Sequence, residues 1–255
     1  RNIGQLVAVP RGPIGGRSMG EVPRTASAAL LTDGEKITWF GPESGLAQLP
    51  SDCDSYDARG GCVVPGLVDC HTHTVFAGSR EHEFVQRLEN KSYAEIAQCG
   101  GGINVTVEAV RRCSRNELVN LALPRLRRML ANGVTTVEIK SGYGLSVADE
   151  LKMLDAIRAL KNLQAIELVP TYLAAHTTPS ECGDHNEYLS LVLHDNVLGR
   201  IRDERLAEFC DVFCDATAFD VSQSYRVLEA GKKFGLRPKI HADQFTNTDA
   251  AVLAA

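Results

Sequence analysis

From residue 63 to residue 241 the sequence alternates between short apolar runs and amphipathic helical patterns. This alternation predicts βαβ units, in which parallel strands are covered by helices. Helix starts are marked by Ser114, which forms a capping box with Glu117, and by Ser146 and Ser222. The runs that predict strands are 63–70, 134–139, 165–173, 209–214 and a fifth that ends at 239–241.

Five parallel strands with polar residues after each carboxyl end fit the first part of a (β/α)₈ TIM-like barrel, here incomplete. A doubly wound sheet fits the same alternation, but no Gly-x-Gly-x-x-Gly follows a strand. Residues 1–62 differ, because the apolar runs 28–32 and 36–40 flank Asp33-Gly34-Glu35 and predict a hairpin. We therefore predict a small N-terminal β element over 1–62 and five βα units over 63–255.

The composition excludes several classes of protein. The net charge is −5 without a block of like charges, which argues against nucleic acid or a membrane surface as partner. No apolar run approaches the roughly 20 residues that span a bilayer, and no signal peptide is visible. The 8 cysteines are scattered without Cys-x-x-Cys, so we expect reduced thiols in a cytoplasmic protein, with a zinc finger or disulfides as the alternative.

Three histidines stand where the predicted strands end. His71 and His73 project from the same face of a strand because they are two residues apart, and His241 ends the fifth strand. In a barrel these carboxyl ends meet at one mouth, so the three imidazoles could form a zinc or iron site with an open water position. The alternative is a set of histidines that are merely satisfied in the core or at the surface.

The segment 65–73, Pro-Gly-Leu-Val-Asp-Cys-His-Thr-His, resembles the signature of the amidohydrolase superfamily of metal-dependent hydrolases. Segments 76–84, 100–103, 138–145 and 241–244 narrow this resemblance to the imidazolonepropionase family, over about residues 28–255. The resemblance implies an amidohydrolase-type barrel whose N-terminal element belongs to a composite β-sandwich. It also implies hydrolysis of the cyclic amide of 4-imidazolone-5-propanoate to N-formimidoyl-L-glutamate, a step in histidine degradation.

The resemblance assigns roles to individual residues. One Zn or Fe ion would be held by His71, His73 and His241. Substrate would be bound by Arg80, through its propionate, and by Tyr143, His176 and Gln244 at the ring, with His176 and Gln244 also catalytic. The alternatives are a surface ion pair for Arg80, loop packing for Tyr143 and a core role for His176.

Two further residues are weighed against the resemblance. Tyr93 is a weaker substrate candidate, since its surroundings also fit a core position. Lys140 suggests the carboxylated lysine of two-metal relatives, but that lysine belongs on the fourth strand, which ends here in Cys214-Asp215. We therefore expect one metal ion and a structural or supporting role for Lys140.

The chain also departs from the family pattern. The family has a fourth metal ligand, an Asp that is the expected general base, on a last barrel strand that this sequence does not contain. We expect an N-terminal fragment of a longer protein, inactive and prone to aggregate alone, with a small-molecule substrate and with a homodimer left open. The alternatives are another amidohydrolase, hydantoinase-like or deaminase-like, and a non-catalytic metal-binding relative.

Overall fold

A computed structural model describes the chain except residues 10, 11, 50, 92–94 and 96–100. The described residues form two compact units, Arg1–Gly66 and Leu67–Ala255. Tyr93, the weaker substrate candidate, and residue 100, the first of segment 100–103, lie outside the described residues.

The N-terminal unit is a four-stranded sheet in the order β3-β2-β1-β4. The predicted hairpin is present, with Asp33 opposite Lys36 and Gly34 at a φ of +55° in the two-residue turn. Ile3, Leu6 and Ala28 form its small core. The strands are β1 Ile3–Val7, β2 Arg24–Asp33, β3 Lys36–Pro42 and β4 Cys62–Val63, with short 3₁₀ helices at Gly16–Gly20 and Glu43–Gly45.

The apolar run predicted as one strand over 63–70 is two strands, and that prediction was wrong. β4 pairs in parallel with β1 of the N-terminal unit, whereas the next strand, β5 Leu67–Thr72, starts the second sheet. Pro65 separates them because proline has no N–H to donate and restricts the residue before it. The compact units consequently divide after Gly66, four residues beyond the division expected from sequence.

The second unit is built on a five-stranded sheet in the order β5-β6-β7-β8-β9. Every neighbouring pair is parallel, as the strand–helix alternation predicts. The strands after β5 are β6 Val134–Lys140, β7 Glu167–Ala175, β8 Phe209–Cys214 and β9 Arg237–Ala242.

The helices follow the capping signals with one exception. Ser114 and Ser146 cap their helices as predicted, and Ser114 completes the capping box with Glu117. Asp220, not Ser222, caps the helix before β9, because its carboxylate accepts from Gln223 N while Gln223 reaches back to Asp220 N. The helices are α1 Glu81–Leu88, α2 Ile103–Arg112, α3 Arg115–Ala131, α4 Val147–Leu160, α5 His185–Val192, α6 Asp195–Asp203, α7 Val221–Lys233 and α8 Ala250–Ala254.

The parallel sheet is strongly curled. β5 and β9 are its two edges, and in a flat sheet strands four places apart would lie roughly 19 Å from each other. Yet His71 on β5 and His241 on β9 bring their Nε2 atoms to 3.1 Å, closer than two imidazole side chains could reach across a flat sheet. The α/β class and a curled half-barrel are therefore confirmed, while closure to a complete barrel stays a prediction.

The helices pack closely against this sheet. At Gly231 of α7 an added Cβ would lie 2.6 Å from Cys210 Cβ on β8, so the helix backbone rests directly on the strand. Tyr172 of β7 is fully buried, and its hydroxyl donates to Val192 O at 2.9 Å. No helix in the described part of the chain is long and apolar enough to cross a membrane.

Candidate metal centre and substrate pocket

Four histidines gather at the carboxyl end of the curled sheet. The His71 and His241 rings are 4.7 Å apart between centroids, and the His73 ring stacks on His176 at 5.1 Å and 12°. His176, which follows β7, also lies 6.5 Å from the His241 ring. The structure thus brings together the three predicted ligands and places His176 among them.

The environment of His71 and His73 favours neutral imidazole, the form that binds metals. Burial lowers the pKa of His71 and holds the pKa of His73 well below its ordinary value, and the nearby histidines add to both effects. The Nδ1 atom of His73 is buried, and no described residue forms a hydrogen bond with it. An imidazole nitrogen without a partner, in the same cluster as two facing Nε2 atoms, belongs to a donor set whose chemistry suits a cation.

The histidine side chains are of the right type for a metal, but they do not converge on one point. In the described ranges no group of three or more His, Cys, Asp or Glu side chains is arranged so that it could hold a metal ion as it stands. The three imidazoles therefore fit a metal by type, charge and location, and would have to turn to converge on one ion.

A buried carboxylate orients one of the three imidazoles. Asp211 on β8 is 1% exposed, and its Oδ1 accepts from His241 Nδ1 at 3.2 Å. Burial opposes ionisation, but the bond from His241 and the nearby Lys140 bring the pKa of Asp211 down to about 2. This bond places a proton on Nδ1 and directs Nε2 of His241 toward His71, an arrangement common behind metal-binding histidines.

Beneath the histidines lies a network of buried charges. Lys140 Nζ donates to Glu138 Oε1 at 2.9 Å and to Asp211 Oδ2 at 2.7 Å, and all three side chains are at most 3% exposed. Lys239 donates to the same Glu138 oxygen at 2.7 Å. An ammonium suits these partners, whereas a carboxylated lysine would place a further negative charge between two carboxylates.

A pocket of about 210 Å³ opens beside His73. Arg80 and Tyr143, both predicted to bind substrate, line it with His73. Glu83 also holds Arg80, because its carboxylate accepts from Arg80 Nε at 2.9 Å and from Arg80 Nη2 at 2.6 Å. The same carboxylate accepts from Gly102 N at 2.8 Å. Arg80 therefore makes the ion pair that was the alternative, and it also lines a pocket, while its binding of substrate stays a prediction.

The rings of Tyr143 and His176 flank His73. The centroid distance is 4.6 Å from Tyr143 to His73 and 5.5 Å from Tyr143 to His176. His176 Nδ1 lies 2.8 Å from Gly142 O, and since a carbonyl only accepts, the proton is on Nδ1 and Nε2 is unprotonated. Burial lowers the pKa of His176 to about 4, so the ring is neutral at pH 7.

Two predicted substrate residues, His176 and Gln244, are not among those that line the pocket beside His73. The ring of His176 still stacks on His73, whereas Gln244 is exposed on the loop after β9. Its neighbours are anchored by Asp215, whose Oδ2 receives Phe245 N at 2.9 Å and Thr246 N at 3.2 Å.

Sequence reasoning missed the residues that support this site. Asp211 gave a signal, since a lone carboxylate inside the apolar run Phe-Cys-Asp-Val-Phe-Cys must have a buried partner. Glu83 lies inside a segment used for the resemblance, but its bond to Arg80 depends on how α1 folds. Glu150 resembles any acidic residue in the first turn of a helix, so nothing in the sequence marks it.

The curled parallel sheet with histidines at its carboxyl end places the chain in the amidohydrolase fold class. Solved structures with the same fold include a triazine hydrolase from Arthobacter aurescens, at TM-score 0.58 and 16% identity, covering 95% of this chain and 52% of that one. A 5-methylcytosine deaminase from Klebsiella pneumoniae gives TM-score 0.64 at 14% identity, covering 98% and 53%. At such low identity they show the fold alone.

Curated relatives define the family more narrowly. Imidazolonepropionase of Myxococcus xanthus (strain DK1622) is 48% identical over 236 residues, covering 91% of this chain and 56% of the relative. That of Symbiobacterium thermophilum is 43% identical over 256 aligned positions, covering 99% and 60%. Along the aligned residues the chain belongs to the imidazolonepropionase family, and it spans little more than half the length of these relatives. No protein-family model matches the chain.

Proposed function

We propose that these residues belong to a metal-dependent hydrolase that opens the ring of 4-imidazolone-5-propanoate to give N-formimidoyl-L-glutamate, in histidine degradation. The observation that carries the proposal is the pocket in which Arg80 and Tyr143 stand beside His73. In this pocket Arg80 can pair with a carboxylate, and the flat ring of Tyr143 can pack against a planar heterocycle. Both lie next to His73, a predicted metal ligand. Cytoplasmic location and a homodimer stay predictions from the sequence.

The metal would be a single Zn or Fe ion held by His71, His73 and His241. When bound, such an ion polarises a carbonyl and lowers the pKa of water toward about 7, the two needs of amide hydrolysis at neutral pH. Asp211 supports the site by holding His241 in the tautomer whose Nε2 can act as a ligand.

Arg80 would read the propionate of the substrate. A guanidinium matches a carboxylate in charge and in planar geometry, and Glu83 limits the rotamers of Arg80 in advance. With the propionate of the substrate bound to Arg80, the ring of the substrate would point toward the histidines.

His176 and Tyr143 would hold the imidazolone ring. The unprotonated Nε2 of His176 can accept a ring N–H, and the neutral state of His176 at pH 7 keeps this acceptor available. Tyr143 offers its ring face beside His73. Gln244 would approach the ring amide from the loop after β9, and a proton must still reach the leaving nitrogen as the ring opens.

The experiment compares two substrates and two arginine variants of the same helix region. The chain is joined to the C-terminal part of the Myxococcus xanthus relative with which it does not align, and ring opening is followed by ultraviolet absorbance. Arg80→Met should raise KM for 4-imidazolone-5-propanoate by a factor equivalent to roughly 2–3 kcal/mol, because a charge-assisted bond is lost.

Arg87→Met is the matched control, since Arg87 is an exposed residue of α1 and should leave KM unchanged. An imidazolone that lacks the propionate should react poorly with the parent and be insensitive to Arg80→Met. Equal rates on both substrates would refute the proposed recognition and favour a hydantoinase-like or deaminase-like enzyme. Absence of any ring opening would favour a non-catalytic metal-binding protein.

A further inference from the structure

We propose that Glu150 is a positioning residue that shapes the loop Ser141–Leu145 and thereby fixes both Tyr143 and His176. This inference rests on the proposed function only in that it treats Tyr143 and His176 as ligand-binding groups. Glu150 lies on α4, outside the pocket beside His73, and in the described part of the chain its carboxylate binds loop N–H groups, not the clustered histidines.

The carboxylate of Glu150 collects the N–H groups of the loop. Its Oε2 accepts from Gly142 N at 2.8 Å, and its Oε1 accepts from Gly144 N at 2.8 Å and Leu145 N at 2.9 Å. The residue has no exposed surface, and burial raises its pKa while these bonds oppose the rise. Its place in the first turn of α4 adds the positive end of the helix dipole.

The loop packs so closely against the backbone of α4 and β7 that two of its positions require glycine. An added Cβ at Gly144 would lie 2.5 Å from the backbone nitrogen of Glu150 itself. Gly142 has a φ of +102°, and a Cβ there would meet Leu173 O at 2.9 Å. Gly142 and Gly144 therefore let the loop come close enough for its N–H groups to reach Glu150.

Arg111 secures the other side of the same loop. Its Nε donates to Gly144 O at 2.7 Å and its Nη2 to Leu145 O at 2.9 Å. Glu150 takes the N–H groups and Arg111 takes the carbonyls, so the loop is held in one conformation from both sides.

Two site residues depend on that conformation. Tyr143 lies between the two glycines whose N–H groups Glu150 binds, and its ring rests 4.6 Å from His73. Gly142 O accepts from His176 Nδ1 at 2.8 Å, which fixes the tautomer with an unprotonated Nε2. A single buried carboxylate therefore positions Tyr143, which lines the pocket, and the carbonyl that sets the tautomer of His176.

The test uses Glu150→Gln in the ¹⁵N-labelled chain joined, as above, to the C-terminal part of the Myxococcus xanthus relative. Glutamine keeps the size of the side chain but replaces one accepting oxygen with an NH₂ group, which cannot accept the loop N–H groups. We expect the Gly142 and Gly144 amide signals to move and the His176 ring nitrogens to report a mixture of tautomers. Affinity for 3-(imidazol-4-yl)propanoate, a probe with no amide to hydrolyse, should fall about tenfold, the loss expected for one hydrogen bond.

Glu117→Gln is the matched control, because Glu117 accepts at the start of α3 and does not touch the loop. Gly144→Ala is the second variant; it keeps the carboxylate but displaces the loop, and should change the His176 signals even if Glu150→Gln fails to fold. Wild-type His176 signals in either folded variant overturn the inference. Changed His176 signals in a chain that never binds the probe would support the positioning role and count against the proposed function instead.

Discussion

Replacing Lys140 with methionine should destabilise the chain by about 3 kcal/mol. Lys140 Nζ bridges Glu138 Oε1 at 2.9 Å and Asp211 Oδ2 at 2.7 Å, so these oxygens are at most the sum of the two distances, about 5.6 Å, apart. Two like charges at this separation repel by roughly 3 kcal/mol at an effective dielectric constant of about 20. The figure agrees with the roughly 3–5 kcal/mol lost when one partner of a buried ion pair is removed.

Urea unfolding followed by circular dichroism, at low micromolar concentration and with monodispersity checked by light scattering, measures this loss. Lys161→Met is the matched control, because Lys161 is exposed at the end of α4 and should change the free energy of unfolding by less than about 0.5 kcal/mol. If Lys140→Met also stayed within about 0.5 kcal/mol of the parent, the buried charge network would not be balanced as described.

Three further predictions address the metal ligands, the packing and the loop after β9. Asp211→Asn should lower zinc affinity roughly 10–100-fold in a calorimetric titration, because His241 loses the carboxylate that orients it; unchanged affinity would contradict that role. Gly231→Ala should cost about 1–3 kcal/mol in urea unfolding, since the new Cβ meets Cys210 at 2.6 Å, and a neutral result would mean that α7 can move away. Burial raises the pKa of Asp215, but the loop N–H groups outweigh burial and hold that pKa below its ordinary value near 3.8. The ionised carboxylate therefore stabilises the fold above about pH 3.8, and this stabilisation is lost as the pH falls below that value. Asp215→Asn should flatten the fall in urea midpoint between pH 5 and pH 3, and an unchanged slope would refute the assignment.

Local signals in the sequence predicted most of the second unit. The capping box of Ser114 and Glu117 and the cap at Ser146 are short-range features, and the structure confirms both. The spacing of His71 and His73 needed only the geometry of a strand to place both rings at one sheet end. Where two local signals competed, as at Asp220 and Ser222, the side chain with a reciprocal partner three residues on became the cap.

The features that escaped prediction depend on contacts distant in sequence. Lys140 and Asp211 are 71 positions apart, and Lys239 and Glu138 are 101 apart, so these ion pairs exist only once the sheet has curled. The break at Pro65 was missed because β4 is held by β1, a partner that the apolar run itself does not reveal. Glu150 escaped because its partners are backbone N–H groups, which every residue except proline provides.

A zinc titration of the chain joined to the C-terminal part of the Myxococcus xanthus relative tests the central claim most directly, namely that His71, His73 and His241 form one metal site. Isothermal calorimetry should give saturable binding of one equivalent, abolished by His71→Ala and unaffected by His194→Ala, which removes an exposed histidine at the start of α6. The ¹⁵N signals of the three ligand rings should move together as zinc is added. Binding that survives His71→Ala, or a titration without saturable uptake, would contradict the account.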